Sequence, residues 1–226
     1  MRTAPPLIDI SVPVKPGMPL WPGDPPVNIE RIEDIRAGGE SNLSRISMSA
    51  HAGTHVDAPL HYIPEGKGIG EMPLAALVGP SRVIEAHGGP DGSIEAEELA
   101  AKKIKRGQRI LLKTPNSSLW RMPAFYERFV HLSVSAAEFL AEKRIRALGI
   151  DYLSVSGYMK GDGPVVHRRL LTAGIWIIEG LDLTAARPGD YELICLPLRM
   201  EGLEAAPLEA APLEAAPARA CLRPLR

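Results

Sequence analysis

His51-Ala-Gly-Thr-His55-Val-Asp57-Ala-Pro-Leu-His61 is the stretch from which the rest of the chain can be read. It gathers three of the chain's six histidines and one carboxylate within eleven residues. Imidazole nitrogen and carboxylate oxygen together suit zinc, manganese or iron. The approach to it alternates. Ile46, Met48, Ala50, Ala52, Thr54 and Val56 share one parity; Arg45, Ser47, Ser49, His51, Gly53, His55 and Asp57 share the other. A period of two predicts a strand over 43–52 with one dry face and one polar face, the metal-type residues lying on the polar one.

A straight strand would not bring these groups to one ion. At roughly 3.3 Å per residue, His51 and His55 would stand about 13 Å apart, whereas each nitrogen must come within about 2 Å of the metal. The chain is therefore expected to bend. Gly53 permits a bulge or tight turn, and Pro59 stops any ladder. The strand should end near His51, with the ligands on the curved exit. Histidines four apart are ordinarily plain surface or core residues. Four metal-type residues on one parity around a glycine point instead to metal binding.

The totals narrow the class. The 226 residues, 45% of them apolar, suffice for a sizeable core and predict one domain over 1–226. A formal net charge of -1, from 26 basic and 27 acidic residues, gives no electrostatic case for nucleic acid or an anionic membrane. No apolar run reaches the ~18 residues of a membrane span. Met-Arg-Thr-Ala-Pro-Pro lacks the apolar core of a signal peptide, so a cytoplasmic protein is expected. Cys195 and Cys221 make neither a disulfide framework nor a CxxC site.

Outward from the first stretch, 7–12 reads as a strand. The proline-rich segment that follows contains Trp21-Pro-Gly-Asp24 and sets an ordered, irregular loop. Trp21 there either anchors the loop on the core or forms an aromatic wall for a flat substrate or a subunit contact. Alternation predicts a strand over 27–36, and Met72–Val78 suggests a short helix closed by Gly79. Strands are expected at 82–86, 109–114 and 150–155. Helices are expected at 94–106, with Ser93 as its cap and Gly107 as its stop, and from a Ser135–Glu138 capping box to about Leu148. Strands alternating with helices of this length predict a mixed α/β domain, with too few helices for a TIM barrel.

A second chemical segment lies far along the chain. His167-Arg-Arg-Leu-Leu-Thr-Ala-Gly174 predicts a short helix with a glycine stop. Ile175-Trp-Ile-Ile178 then reads as a buried strand ending at Glu179-Gly180. A carboxylate at the tip of an apolar strand is costly unless it is paired or coordinated.

The His-x-Gly-Thr-His-x-Asp-Ala-Pro-x-His pattern resembles the signature of the cyclase family of metal-dependent hydrolases, which includes kynurenine formamidases and isatin hydrolases. Trp-Pro-Gly-Asp, the His167-x11-Glu179 pair and Gly-Asp-Tyr-Glu-Leu-Ile-Cys-Leu-Pro-Leu at 189–198 resemble that family too. The similarity spans roughly 5–200. It implies a single swivelling β/β/α domain, a mixed sheet or barrel-like core with peripheral helices. It implies one or two divalent ions per chain, zinc or alternatively manganese, on His51, His55, Asp57, His167 and Glu179. Asp57 and Glu179 would bridge where two ions bind. His61 matches the catalytic histidine, a proton shuttle outside the ligand set, and Trp21 matches a substrate-contacting aromatic. The implied partners are a small-molecule substrate and further copies of the chain, as a dimer or tetramer.

One departure bears on specificity. Where kynurenine formamidases carry Thr-Pro-Ser after Gly-Ile-Asp, this chain reads Tyr152-Leu-Ser154-Val-Ser-Gly-Tyr158. Hydrolysis of an aryl formamide such as N-formylkynurenine is the activity implied. A cyclic amide or lactone is the rival substrate, and a non-catalytic metal-binding protein the rival class. No serine or cysteine sits in a GxSxG context, so nothing supports a covalent route. Leu-Glu-Ala-Ala-Pro recurs at 203–207, 208–212 and 213–217; proline every fifth residue blocks a helix, and the repeat reads as a low-complexity extension without chemistry.

Overall fold

The computed structural model describes residues 6–201 and 212–225. Its strands are β1 (Ile8–Asp9), β2 (Asn28–Glu33), β3 (Leu43–Ser47), β4 (His55–Asp57), β5 (Val78–Glu85), β6 (Ser93–Ile94), β7 (Arg109–Lys113), β8 (His131–Leu132), β9 (Ala147–Ile150), β10 (Trp176–Glu179), β11 (Gly189–Pro197) and β12 (Ala215–Pro224). Its α-helices are α1 (Ala96–Ala100), α2 (Val134–Lys143) and α3 (Gly163–Thr172).

Seven strands close on themselves in the order β12-β11-β5-β7-β9-β10-β4, with β4 returning to β12. The β5-β7-β9-β10 pairings are parallel and the others antiparallel, so this is the expected α/β barrel-like mixed sheet. β1 pairs with the far end of β12 through Ile8↔Leu222 and Asp9↔Cys221. Alternation along the strands makes two cores. Val56, Val83, Leu111, Ala147, Ile178, Leu193 and Ala216 come one from each barrel strand and fill the interior. The opposite parity, Ile84, Ile110, Leu112, Leu148, Ile150 and Ile177, packs against Leu140 of α2 and Val166 and Leu170 of α3. Burial on both faces explains why β7, β9 and β10 are apolar runs.

Several expected elements shift. The strand foreseen over 43–52 stops at Ser47, and its dry face is absent: Ile29 and Ile46, paired across β2 and β3, are 43% and 60% exposed. The helix foreseen over 94–106 is only Ala96–Ala100, because Ser93–Ile94 pair with His131–Leu132 and Lys103 takes a left-handed φ of 55°. Ser133, not Ser135, caps α2 by accepting the Ala136 N–H; Ser135 Oγ instead accepts the Ala96 N–H at the start of α1. α2 ends at Lys143 because Arg144 is left-handed (φ 51°), which frees Ala147–Ile150 for β9.

The tail corrects the repeat reading. The copy at 203–207 and all but the last residue of the copy at 208–212 lie outside the described residues. The copy at 213–217 leads into β12, where Ala215 and Ala216 are fully buried and pair with β4. β12 closes the barrel, so 189–198 is the penultimate strand. Three consecutive apolar positions beside a ladder partner outweigh the low-complexity composition. Among the described residues, no helix is long and apolar enough to cross a membrane.

Candidate metal centre

The first segment does bend. After Ser47 the chain turns, with Gly53 at φ +72°, and re-enters the sheet as β4. His55 and Asp57 share one side of β4, while Val56 points into the barrel. Antiparallel pairing sets His55 opposite Glu179 and Asp57 opposite Ile177 on β10, which joins the two chemical segments. Thr54 locks the junction: its hydroxyl donates to the Gly180 carbonyl at 2.5 Å and accepts the Val12 N–H at 3.0 Å. α3 supplies His167, and a short turn over Pro59–His61 supplies His61.

His51, His55, Asp57, His167 and Glu179 converge. His55 Nε2 stands 3.4 Å from Asp57 Oδ1 and 3.5 Å from Glu179 Oε2. His167 Nε2 lies 3.2 Å from Glu179 Oε1, and His51 Nδ1 lies 3.2 Å from Asp57 Oδ1. The His51 and His55 rings are 4.9 Å apart, close enough to serve one centre. Of the five, only His51 keeps appreciable exposure, at 20% of its side chain. Among the described residues, His55 Nε2 and both Asp57 oxygens find no hydrogen-bond partner, although all three atoms are buried. Orphaned buried polar atoms on nitrogen and carboxylate donors are what a divalent cation would satisfy, so the donor set fits one.

The outward-facing atoms are fixed. His55 Nδ1 meets the Gly53 carbonyl at 3.0 Å and His167 Nδ1 the Gly163 carbonyl at 2.8 Å. The Val155 N–H donates to Glu179 Oε1 at 2.7 Å. Burial alone would lower the histidines, but the carboxylates outweigh it. Asp57 and Glu214 raise His51 to about 10, and Asp57 and Glu179 raise His55 to about 9. Burial opposes charge on Asp57 too, yet the two imidazoles hold it well below the usual carboxylate range.

His61 stands at the rim of this cluster, its ring 4.4 Å from that of His51 and 5.6 Å from that of His167. Its nearest donor atom lies within 4.8 Å of those of His51 and Asp57, so distance alone permits it to ligate. Burial, the largest influence, holds His61 below its ordinary value.

A cavity of about 300 Å³ opens onto His51, His61, His167 and Glu179. Trp21 lines it, and it also packs edge-on against Phe125 and Tyr158 at 5.3 Å each, so it is both anchor and wall. The loop at 152–158, where the sequence departs from the formamidase pattern, lines the cavity too, and so does Tyr62, which the motifs did not single out. Tyr62 stacks on His167 at 4.6 Å, and Ser154 and Ser156 face the cavity with their hydroxyls 3.1 Å apart. Position beside His61 was the one signal for Tyr62, and the departure at 152–158 marked the serines. A larger cleft of about 550 Å³, bounded by Arg82, Lys102 and Gly189, holds none of these groups.

The family profile described as "Putative cyclase" matches residues 8–156. This chain belongs to the cyclase family. It is 34% identical to a predicted metal-dependent hydrolase from Bacillus stearothermophilus, covering 97% of this chain and 98% of that one, with a TM-score of 0.79. It is 33% identical to a potential metal-dependent hydrolase with cyclase activity, again over 97% and 98%, with a TM-score of 0.78. It shares its fold with isatin hydrolase A from Labrenzia aggregata, at 22% identity over 96% and 93% and a TM-score of 0.77. The profile match stops at Ser156; His167 and Glu179 lie beyond it, within the span of the structural matches that cover 97% of the chain.

Proposed function

We propose that this cyclase-family protein is a metal-dependent hydrolase that cleaves the C–N bond of an N-aryl amide with water. One observation carries the reading: three imidazoles and two carboxylates converge at the floor of a cavity with an aromatic wall. His51, His55, Asp57, His167 and Glu179 would hold the ion, zinc in this reading and manganese as the alternative. A divalent ion there supplies Lewis-acid polarisation of a carbonyl and water that ionises near neutral pH.

The chain's own groups then have separate tasks. His61, neutral because burial lowers it, accepts the proton of the attacking water and delivers it to the departing nitrogen. Trp21 and Tyr158 hold the flat ring of the substrate. Tyr62, Ser154 and Ser156 offer hydroxyls to its polar edge. In this reading His61 stays outside the ligand set, which accords with catalysis over storage, because a structural site closes its coordination sphere.

Among the described residues lining the cavity there is no lysine or arginine. A cyclic aryl amide, neutral throughout, therefore fits. An open-chain aryl formamide of the N-formylkynurenine type has its own support: Asp24 at the rim offers a carboxylate to the substrate's ammonium group. Metal analysis followed by a screen of aryl formamides against cyclic amides tests the proposal. Turnover of either, lost on chelation and restored by metal, supports it; metal uptake without turnover of any amide leaves a binding protein instead. The cytoplasm is the proposed compartment, consistent with the unpaired Cys195 and Cys221.

A further inference from the structure

We propose that Glu214, delivered by the last Leu-Glu-Ala-Ala-Pro copy, is the positioning residue that orients His51 for metal binding. The proposal rests on the metal reading above and extends it to a residue outside the ligand set.

The three imidazoles share one arrangement. Each turns one nitrogen toward the central carboxylates and the other toward a partner outside them. For His55 the outer partner is the Gly53 carbonyl at 3.0 Å, and for His167 the Gly163 carbonyl at 2.8 Å. For His51 the inner atom is Nδ1, 3.2 Å from Asp57 Oδ1, and the outer atom is Nε2. That Nε2 faces Glu214 Oε1 at 3.6 Å, an ion-pair separation, with the carboxylate 39% accessible. A histidine that ligates through one nitrogen is held in its tautomer and orientation by the partner of the other. Two of the three partners here are backbone. Glu214 is the one that a side-chain change can remove.

The backbone around Glu214 is fixed independently of its side chain. The Glu214 carbonyl accepts the Ala58 N–H at 2.8 Å, one residue past Asp57. Ala215 pairs with Asp57 in the ladder, and the Leu213 carbonyl accepts the Ile69 N–H at 2.9 Å. Gly68 lies so close to Pro212 that a Cβ on it would come within 2.5 Å of the proline ring. The segment is pinned on both sides, so losing the carboxylate should leave the strand in place. The register comes from beyond the repeat, where Ala220 and Leu222 enter the barrel core. It therefore selects this copy's glutamate, although Glu204 and Glu209 hold the same place in the other two.

The test is cobalt and zinc affinity of Glu214→Gln beside the unmodified full chain, with the cobalt absorption spectrum as the readout of ligand geometry. Glu214→Gln should bind about 10–100-fold more weakly, with an altered spectrum. Glu214→Asp should recover part of the loss. Glu204→Gln and Glu209→Gln should match the unmodified protein. Equal affinity and an unchanged spectrum in Glu214→Gln overturn the inference while leaving the metal reading intact. So does an equal loss in Glu204→Gln or Glu209→Gln. If the unmodified protein takes up no cobalt or zinc, the metal reading falls and the inference falls with it.

Discussion

Gly180 lies so close to the carbonyl oxygen of Gly53 that no side chain fits between the two backbones. This contact joins the end of β10, which carries Glu179, to the turn that leads into His55 on β4. Gly180 is also left-handed, at φ +71°, a conformation that costs a residue with a Cβ roughly 1–2 kcal/mol before any clash. Gly180→Ala should destabilise the fold by about 2–4 kcal/mol and lower the melting temperature by roughly 5–15 °C. It should also separate His55 from Glu179 and reduce bound metal. A melting curve and metal content equal to those of the unmodified protein would show that the junction tolerates the methyl group.

Metal uptake should release protons. With His51 raised to about 10 and His55 to about 9, both are protonated at pH 7.5 in the absence of metal, and a ligating imidazole must be neutral. At least one proton per ion should appear when zinc binding is measured calorimetrically in buffers of different ionisation enthalpy. Stability of the chelated protein runs the other way. A histidine whose folded pKa exceeds its unfolded value of about 6.5 stabilises fully below that value and loses its contribution as pH rises through the folded pKa. Chelated protein should thus melt at falling temperature from about pH 7 toward 10, while zinc affinity rises with pH over the measurable range. Buffer-independent binding heats would refute the protonated pairs.

The convergence of the candidate site was more legible than the boundaries of the elements around it. His51, His55, Asp57, His167 and Glu179 announce themselves because few other pressures place imidazole and carboxylate at such spacing. Glu179 stood out as a charge ending an apolar strand, and the ladder pairing with His55 supplies its reason. Glu214 gave no such signal, since its place beside His51 depends on a strand register set by residues 218–224. The hairpin of β2 and β3 misled in the opposite sense: alternation implied a buried face that is exposed among the described residues. Helix ends failed where left-handed residues without glycine, Lys103 and Arg144, broke the pattern.

That hairpin supports a prediction about assembly. A two-stranded ribbon is marginal in water by itself, yet Ile29, Ile32, Leu43 and Ile46 are all 43–60% exposed on it. We expect a homo-oligomer with a dimer as its smallest unit, the ribbon packing against another copy. Light scattering at micromolar concentration should give at least twice the 24.4 kDa chain mass, and Ile46→Glu should shift it toward the monomer. A monomer in the unmodified protein would exclude this arrangement.

His61 decides between two chemistries of the same cluster. Its donor atom is near enough to those of His51 and Asp57 to ligate, yet it sits on the turn after Pro59 and is held neutral by burial. As a proton carrier, it should be dispensable for the metal: His61→Ala should keep full metal content and lose roughly 10²–10⁴-fold in turnover. Replacing a ligand removes metal and activity together, so His55→Ala should lose both. Both variants should be assayed for bound zinc and for hydrolysis of whichever amide the screen identifies. Were His61→Ala to arrive metal-free, the residue would be a ligand and another group would have to move the proton. If it kept both metal and full turnover, the proton transfer assigned to His61 would pass to another base.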